Sequence, residues 1–231
     1  MTARYAIYFS PARLSPWWTF GAHWLGRDEC DDAVLAQPVP SQVELADMFA
    51  ITAEPRRYGF HATLKAPFHL VGGCTVDDLV IRMQALAKTL KPVDLGPLHA
   101  VMLENFVALV PLRPSDRLAS LAADCVLGLD DLRAPLSAGE LARRLRVPLN
   151  ARAHELLLRY GYPYVLELFR LHFTLSGPLP QELARRVMQE VARPVAGLNA
   201  TAPLVLDRLC LFVEAAPGQA FKRLTDAELS A

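Results

Sequence analysis

Arg56-Arg57-Tyr58-Gly59-Phe60-His61-Ala62-Thr63-Leu64-Lys65-Ala66-Pro67-Phe68 sets a histidine, a threonine and a lysine at alternate positions. In an extended strand alternate side chains share a face, so His61, Thr63 and Lys65 are expected to project together, about 7 Å apart. Phe60, Ala62 and Leu64 would enter a core on the other side. A proton carrier, a hydroxyl donor and a fixed cation on one face suit a phosphate ester. One such motif is expected by chance in roughly a few per cent of such chains, and a lone strand histidine is more often a satisfied core side chain. A second copy far downstream, Leu171-His172-Phe173-Thr174-Leu175-Ser176, repeats the His-x-Thr-Leu core and shifts the balance toward a site.

Two such strands hold the parts that phosphodiester cleavage needs. A base activates the nucleophile and an acid protonates the leaving oxygen. Histidine suits both roles because its ordinary pKa lies near 6.5. His61 and His172 on opposing strands can flank one phosphorus. Thr63 and Thr174 each offer a hydroxyl to a non-bridging oxygen. Lys65 or Arg170 would offset charge gathering on those oxygens. Arg170 stands two residues before His172 and is expected on its face. The scheme needs no metal and no cofactor. The chain has no Gly-x-Ser-x-Gly elbow, no Gly-x-x-x-x-Gly-Lys-Ser/Thr loop and no His-x-x-x-His pair.

Composition narrows the setting. The 231 residues are 52% hydrophobic and 21% charged, in the range of a folded globular chain. Lys and Arg balance Asp and Glu at 24 each, so any anion site must be local rather than a global field. No apolar run reaches the roughly 20 residues that span a bilayer. The N-terminal run from Met1 to Phe9 is short for a signal peptide and reads as a strand. Cys30, Cys74, Cys125 and Cys210 are scattered without Cys-x-x-Cys spacing, as expected of reduced thiols in a cytoplasmic protein.

The remaining pattern supplies strands and helices around the motifs. A strand is expected at 3–9 and an aromatic, partly helical segment at 16–26, its Trp17, Trp18, Phe20 and Trp24 filling the core. Ser41-x-x-Glu44 has capping-box spacing for a helix to about Ala50. The first motif strand is expected over 57–66, stopped by Pro67, with His69 a lesser candidate just beyond. A helix capped by Thr75 or Asp77 leads to a hairpin, 98–103 and 106–112, turning at Glu104-Asn105. Pro114-Ser115-Asp116 opens a helix to about Gly128. Ser137-x-x-Glu140 leads into the basic stretch Arg143-Arg144-x-Arg146, read as a solvated helix face. Asn150 caps a helix over 151–160. The second motif strand is expected over 168–176, followed by a helix from Pro180 to about Arg193, a strand over 203–214 and a short last strand near 220–225.

The paired His61-Ala62-Thr63-Leu64 and His172-Phe173-Thr174-Leu175 resemble the signature of the 2H phosphoesterase superfamily. Trp24-Leu25-Gly26-Arg27-Asp28, the 57–68 phrase, and Tyr160-Gly161-Tyr162-Pro163-Tyr164 with Phe169-Arg170-Leu171 are similar to a bacterial branch often encoded among carbon–phosphorus lyase genes. That resemblance implies a two-lobed α+β fold: two antiparallel sheets, flanking helices, and a metal-free cleft between pseudo-symmetric lobes. The order of elements, with no linker between the halves, reads as one two-lobed domain over 1–231 with the lobe connection within 112–150. The resemblance carries His61 and His172 over as an acid/base pair, and Thr63 and Thr174 as phosphate ligands. Tyr58, Lys65, Tyr164 and Arg170 are added as substrate-binding candidates from proximity and chemistry. The implied function is a metal-independent phosphodiesterase, a phosphoric diester hydrolase that opens a small cyclic phosphate such as ribose 1,2-cyclic phosphate in phosphonate breakdown. An RNA 2′,3′-cyclic phosphodiesterase is the second reading, with RNA as a lesser partner supported only by 143–146. A binding module without turnover is the third. The sequence leaves the oligomeric state open.

Overall fold

The computed structural model describes residues 3–41, 43–113 and 115–230. Met1 and Thr2 of the N-terminal run, and Pro114, expected to open a helix, lie outside the described residues. The strands are β1 (Arg4–Phe9), β2 (Ala62–Phe68), β3 (Val93–Asp94), β4 (Leu98–Leu103), β5 (Phe106–Pro111), β6 (Phe173–Thr174), β7 (Val205–Leu206), β8 (Arg208–Glu214) and β9 (Lys222–Glu228). The helices are α1 (Pro16–Leu25), α2 (Leu45–Ile51), α3 (Ala53–Arg56), α4 (Val76–Ala87), α5 (Asp116–Leu127), α6 (Ala138–Arg144), α7 (Ala151–Tyr160) and α8 (Gln181–Thr201).

The class is α+β. Seven strands form one antiparallel sheet in the order β4-β5-β6-β2-β1-β8-β9, and β3 pairs separately with β7. This differs from the expected pair of lobe sheets. The two motif strands lie side by side, Ala62 opposite Phe173, and so fuse the halves into one sheet. The strands also interleave. The β4–β5 hairpin from the first half flanks β6, while β8 and β9 from the second half flank β1.

One face of the sheet is buried under helices. Ile7 and Phe9 of β1, Ala62 of β2, Leu109 of β5, Phe173 of β6 and Leu211 of β8 join one core with Trp24 of α1, Met83 of α4, Leu121 of α5 and Val187 of α8. The aromatics of 16–26 are core residues as expected: Trp17, Trp18 and Trp24 are buried. The opposite face carries a smaller cluster, Ala6, Tyr8, Cys210, Phe212 and Phe221. All four cysteines are free. Among the described residues no helix is long and apolar enough to cross a membrane.

Several boundaries move for local reasons. Ser41 does not cap α2; its N–H and hydroxyl donate to Glu190, and Glu44 takes the cap position without a side-chain bond. The segment 57–61 is a turn rather than strand, and β2 runs on through Pro67. The proline is tolerated because the β1–β2 register shifts twice, between Tyr5 and Ile7 and between Ile7 and Tyr8, and irregular pairing leaves no ladder N–H to lose there. Helix α8 continues past Pro194, with Val195 still buried in the core. By contrast the Ser137 capping box and the Asn150 cap form as expected, and of the two caps open for α4 it is Thr75 that forms, in a capping box with Asp78.

Helix α1 meets the first motif at Gly21. A Cβ there would lie 1.9 Å from Cγ of Phe60, whose ring stacks on Phe173 at 4.9 Å. Gly21→Ala should therefore cost about 1–3 kcal/mol in urea unfolding despite its helical gain. Gly72→Ala, with nothing within 4 Å of the added carbon, should stay within about 0.5 kcal/mol of wild type. Equal midpoints for the two variants would contradict this packing.

Candidate functional site

The pairing of β2 with β6 builds a two-by-two array. With Ala62 opposite Phe173 in an antiparallel pair, His61 stands across from Thr174 and Thr63 across from His172. Ala62 and Phe173 both point into the core. The other four therefore share the opposite face, where direct neighbours have Cβ atoms about 4.5–5.5 Å apart. Each histidine faces the other motif's threonine, and the two histidines are diagonal neighbours.

Both imidazoles are held in the same way. Nδ1 of His61 donates to the Gly59 carbonyl at 2.9 Å, and Nδ1 of His172 donates to the Arg170 carbonyl at 2.9 Å. A carbonyl only accepts, so Nδ1 carries the hydrogen in each ring and Nε2 is the position that gains or loses a proton. Nε2 of His61 lies 3.4 Å from the Thr63 hydroxyl. The His61 ring stacks on Tyr8 at 3.9 Å, and His172 packs beside Phe106 at 5.9 Å.

The turn before His61 is fixed from several sides. Gly59 has φ +77°, and a Cβ there would meet the Glu29 side chain at 2.6 Å. Arg27 donates to the Arg56 and Arg57 carbonyls at 3.2 Å each and to the Phe221 carbonyl at 2.8 Å. Two residues before Gly26, the Trp24 indole N–H donates to the Leu175 carbonyl at 2.9 Å. The Trp24-to-Asp28 phrase thus ties α1 to both histidine-bearing segments.

The array opens into a cleft of about 1220 Å³ whose walls include Tyr8, Tyr58, His61, Thr63 and Thr174. His172 borders the cleft through Phe106 rather than forming its wall. Three expected ligand-binding residues are placed elsewhere. Lys65 is buried, and its ammonium donates to the Val126 carbonyl and the Asp130 carboxylate at 3.0 Å each. The cause is the register shift in β2: Thr63 pairs with Tyr8 but Lys65 pairs with Ile7, so one extra residue swings Lys65 to the core side. Tyr164 is exposed and packs edge-on against Tyr162 at 5.7 Å, and Tyr162 is the one that lines the cleft. Arg170 is exposed and contributes its carbonyl rather than its guanidinium. Strand β6 begins only at Phe173, so alternation does not reach back to Arg170.

Further residues line the cleft, and Arg4 and Arg57 among them escaped the sequence reading. Arg4 and Arg57 both pair with the buried Glu214, Arg4 at 2.5 Å. Tyr58 stacks on Phe221 at 5.0 Å. His69 lines the cleft with Nδ1 on the Ala3 carbonyl at 2.9 Å and Nε2 3.5 Å from Glu140. Arg143 and Arg144, expected on a solvated face, also line it. Tyr58 and His69 were candidates in the sequence and the 143–146 run was visible there, although a charge run reads alike whether it faces a cleft or bulk water; Arg4 and Arg57 carried no such signal. Among the described residues no group of three His, Cys, Asp or Glu has metal-binding geometry.

Burial pushes the His61 pKa down to about 4; the Gly59 bond opposes this, and the nearby His172 adds to it. His61 is therefore a neutral proton acceptor at neutral pH. Above pH ~6.5 this costs the fold nothing. As pH falls from there toward 4, the unfolded chain takes up a proton that the folded chain resists, so stability declines. Ring-nitrogen shifts followed by NMR should give His61 a midpoint far below 6.5, moving upward in His172→Asn. A midpoint at 6.5 or above would refute this environment.

Comparison with known proteins gives the family and one correction. The family model described as "Protein of unknown function (DUF1045)" matches residues 63–222. The ribose 1,5-bisphosphate phosphokinase PhnN of Janthinobacterium sp. (strain Marseille) is 38% identical over 221 residues, covering 94% of this chain and 49% of that protein. The protein of the same name from Laribacter hongkongensis (strain HLHK9) is 38% identical over 221 residues, covering 95% and 50%. The chain spans about half the length of these curated relatives. Their name is that of a kinase, a transferase. It overturns the expected cyclic phosphodiesterase, the assignment as a phosphoric diester hydrolase, and the RNA 2′,3′-cyclic variant. The physical reason is that proton carriers and phosphate-binding hydroxyls serve transfer to water and transfer to another acceptor alike, so the paired motifs could not separate them. With the family model matching well over half of its residues, the chain belongs to the DUF1045 family.

Proposed function

We propose that the cleft binds a small phosphorylated sugar of the ribose phosphate class and moves protons at its phosphate. Thr63 and Thr174 donate hydroxyl hydrogen bonds to phosphate oxygens. His61 accepts a proton at Nε2, and His172 delivers or returns one across the diagonal. Tyr58 and Tyr8 flank the sugar from the His61 side. The observation that carries this reading is the two-by-two array, since it puts two imidazoles and two hydroxyls on one sheet face, with His61, Thr63 and Thr174 lining the cleft and His172 at its border.

The setting we infer is phosphonate metabolism, and the chemistry served is the phosphoryl transfer named for the longer relatives. The sequence has no Gly-x-x-x-x-Gly-Lys-Ser/Thr loop, the commonest cradle for nucleotide phosphates. Binding the sugar phosphate and handling its protons are therefore the parts assigned to this chain. The paired His-x-Thr superfamily, with two pseudo-symmetric lobes in one domain, is the finer architectural reading. It draws support from the diagonal symmetry of the motifs and the interleaving of strands from both halves. A cytoplasmic setting belongs to the same proposal and is supported by the four free cysteines.

Calorimetric titration with ribose 5-phosphate tests the site. A hydrogen bond to a charged group contributes about 1.5–3 kcal/mol, so each lost hydroxyl should weaken binding roughly tenfold or more. Thr63→Ala and Thr174→Ala should each show that loss and the double variant about 100-fold, with folding intact by circular dichroism. Unchanged affinity in the double variant, or no binding by the wild type, would sink the proposal.

A further inference from the structure

The cleft is larger than one phosphate and one sugar need. Small-molecule sites commonly enclose roughly 300–1,000 Å³, and this one holds about 1220 Å³. Its cations are not equivalent. Arg4 and Arg57 both answer the buried carboxylate of Glu214, which also accepts the Gly218 N–H at 3.0 Å. Glu214 cancels one of their two charges, and both guanidinium groups already have a carboxylate partner.

Arg143 and Arg144, at the end of α6, differ. Among the described residues neither guanidinium makes an ion pair or donates a hydrogen bond, and both line the cleft. Arg144 is half-buried, with its guanidinium carbon 5.4 Å from the Tyr162 ring centre. That ring fixes its plane without using its five N–H donors. Burial pulls the Arg144 pKa down, yet a guanidinium stays charged at neutral pH. The nearby carboxylate is Glu140. It is occupied by the Ser137 N–H at 3.0 Å and hydroxyl at 2.8 Å, and it faces His69. Arg143 is exposed at the cleft rim and Arg144 is half-buried beside it, so two arginines against one engaged carboxylate leave an excess positive charge, partly desolvated at Arg144. A guanidinium in that condition calls for a bidentate anion.

We infer that Arg143 and Arg144 form a second anion subsite, so that the cleft's ligand is a sugar carrying two separated phosphates. This rests on the phosphorylated-sugar reading: one phosphate sits on the Thr63 and Thr174 array, and the other is clamped by the two guanidinium groups beside Tyr162. The subsite selects bisphosphates over monophosphates, because a monophosphate leaves the partly desolvated Arg144 without a partner.

The test compares ribose 1,5-bisphosphate with ribose 5-phosphate by calorimetric titration, in the wild type, in the Arg143→Ala/Arg144→Ala double variant and in Thr63→Ala/Thr174→Ala. The wild type should prefer the bisphosphate by about 10- to 100-fold, as charge-assisted bonds to a second phosphate imply. In the arginine variant that preference should collapse to about one, with the far-ultraviolet spectrum unchanged. A wild type that binds both sugars equally, or an arginine variant that keeps the preference, overturns the subsite while leaving the Thr63 and Thr174 site standing. A wild type that binds neither sugar overturns both. ADP serves as a further probe: binding as tight as the bisphosphate's, and lost in the arginine variant, would replace the sugar bisphosphate with a nucleoside diphosphate and so overturn the inference.

Discussion

The cleft depends on one cross-strand pair. Ala62 and Phe173 are 111 residues apart in sequence, and among the described residues they are the one ladder pair between β2 and β6. Strand β6 has two residues, too few to hold its place by ladder bonds alone. Its neighbours hold it instead. Phe173 stacks on Phe60, and the Leu175 and Ser176 N–H groups donate to the Val107 carbonyl at 2.8 and 3.3 Å. The Ser176 hydroxyl accepts the Val107 N–H at 2.9 Å, the Gly177 N–H reaches the Ile51 carbonyl at 2.7 Å, and the Trp24 indole holds the Leu175 carbonyl. These bonds are buried, where an unpaired backbone group costs most. A one-residue slip of β6 would send both His172 and Thr174 into the core.

How much of this was legible follows from which interactions are local. His61, Thr63, His172 and Thr174 are separated by two residues within each motif, and alternation in a strand needs no knowledge of the rest of the chain. The Thr75, Ser115, Ser137 and Asn150 caps are local for the same reason. Lys65 failed because a register shift against Ile7 moves it to the other face, and a bulge leaves no mark in a pattern of apolar and polar residues. Asp130 then takes its ammonium from across 65 residues of sequence. Arg170 failed because a turn of 3-10 helix at Leu166–Leu168 precedes the strand and breaks the alternation. The single sheet was hidden for a global reason: whether two motif strands face each other across a gap or lie edge to edge is decided by the whole topology.

Charge in the cleft is sorted by what the protein has already paired. Glu214, buried, holds Arg4 and Arg57 as a rigid unit beside Tyr58 and Phe221. Asp130 binds Lys65 and also Arg133, the latter at 2.8 Å, on the other side of the sheet. A count of basic residues near the motifs would have credited all of them to the ligand. The hydrogen-bond partners show that Arg4, Arg57, Lys65 and Arg133 are held by carboxylates of the protein, whereas among the described residues Arg143 and Arg144 are not. His61 stays neutral: burial lowers its pKa and no adjacent carboxylate raises it again.

The kinase name of the relatives and the composition of this chain fit together on physical grounds. Phosphoryl transfer from a nucleotide is mostly positioning and charge stabilisation, with a cradle of backbone N–H groups and a lysine around the donor phosphates. This chain carries no loop of that pattern, and it accounts for about half of each relative's length. What its sheet face offers is two hydroxyls, a neutral imidazole beside them and a second imidazole one diagonal away. Under the proposed reading the acceptor sugar phosphate is held here, and the requirements for the donor fall on other parts of the longer proteins. Under that reading the site needs no strong net charge, because two threonines and two histidines would hold a phosphate through oriented dipoles. The balanced charge of the whole chain is what such a site permits.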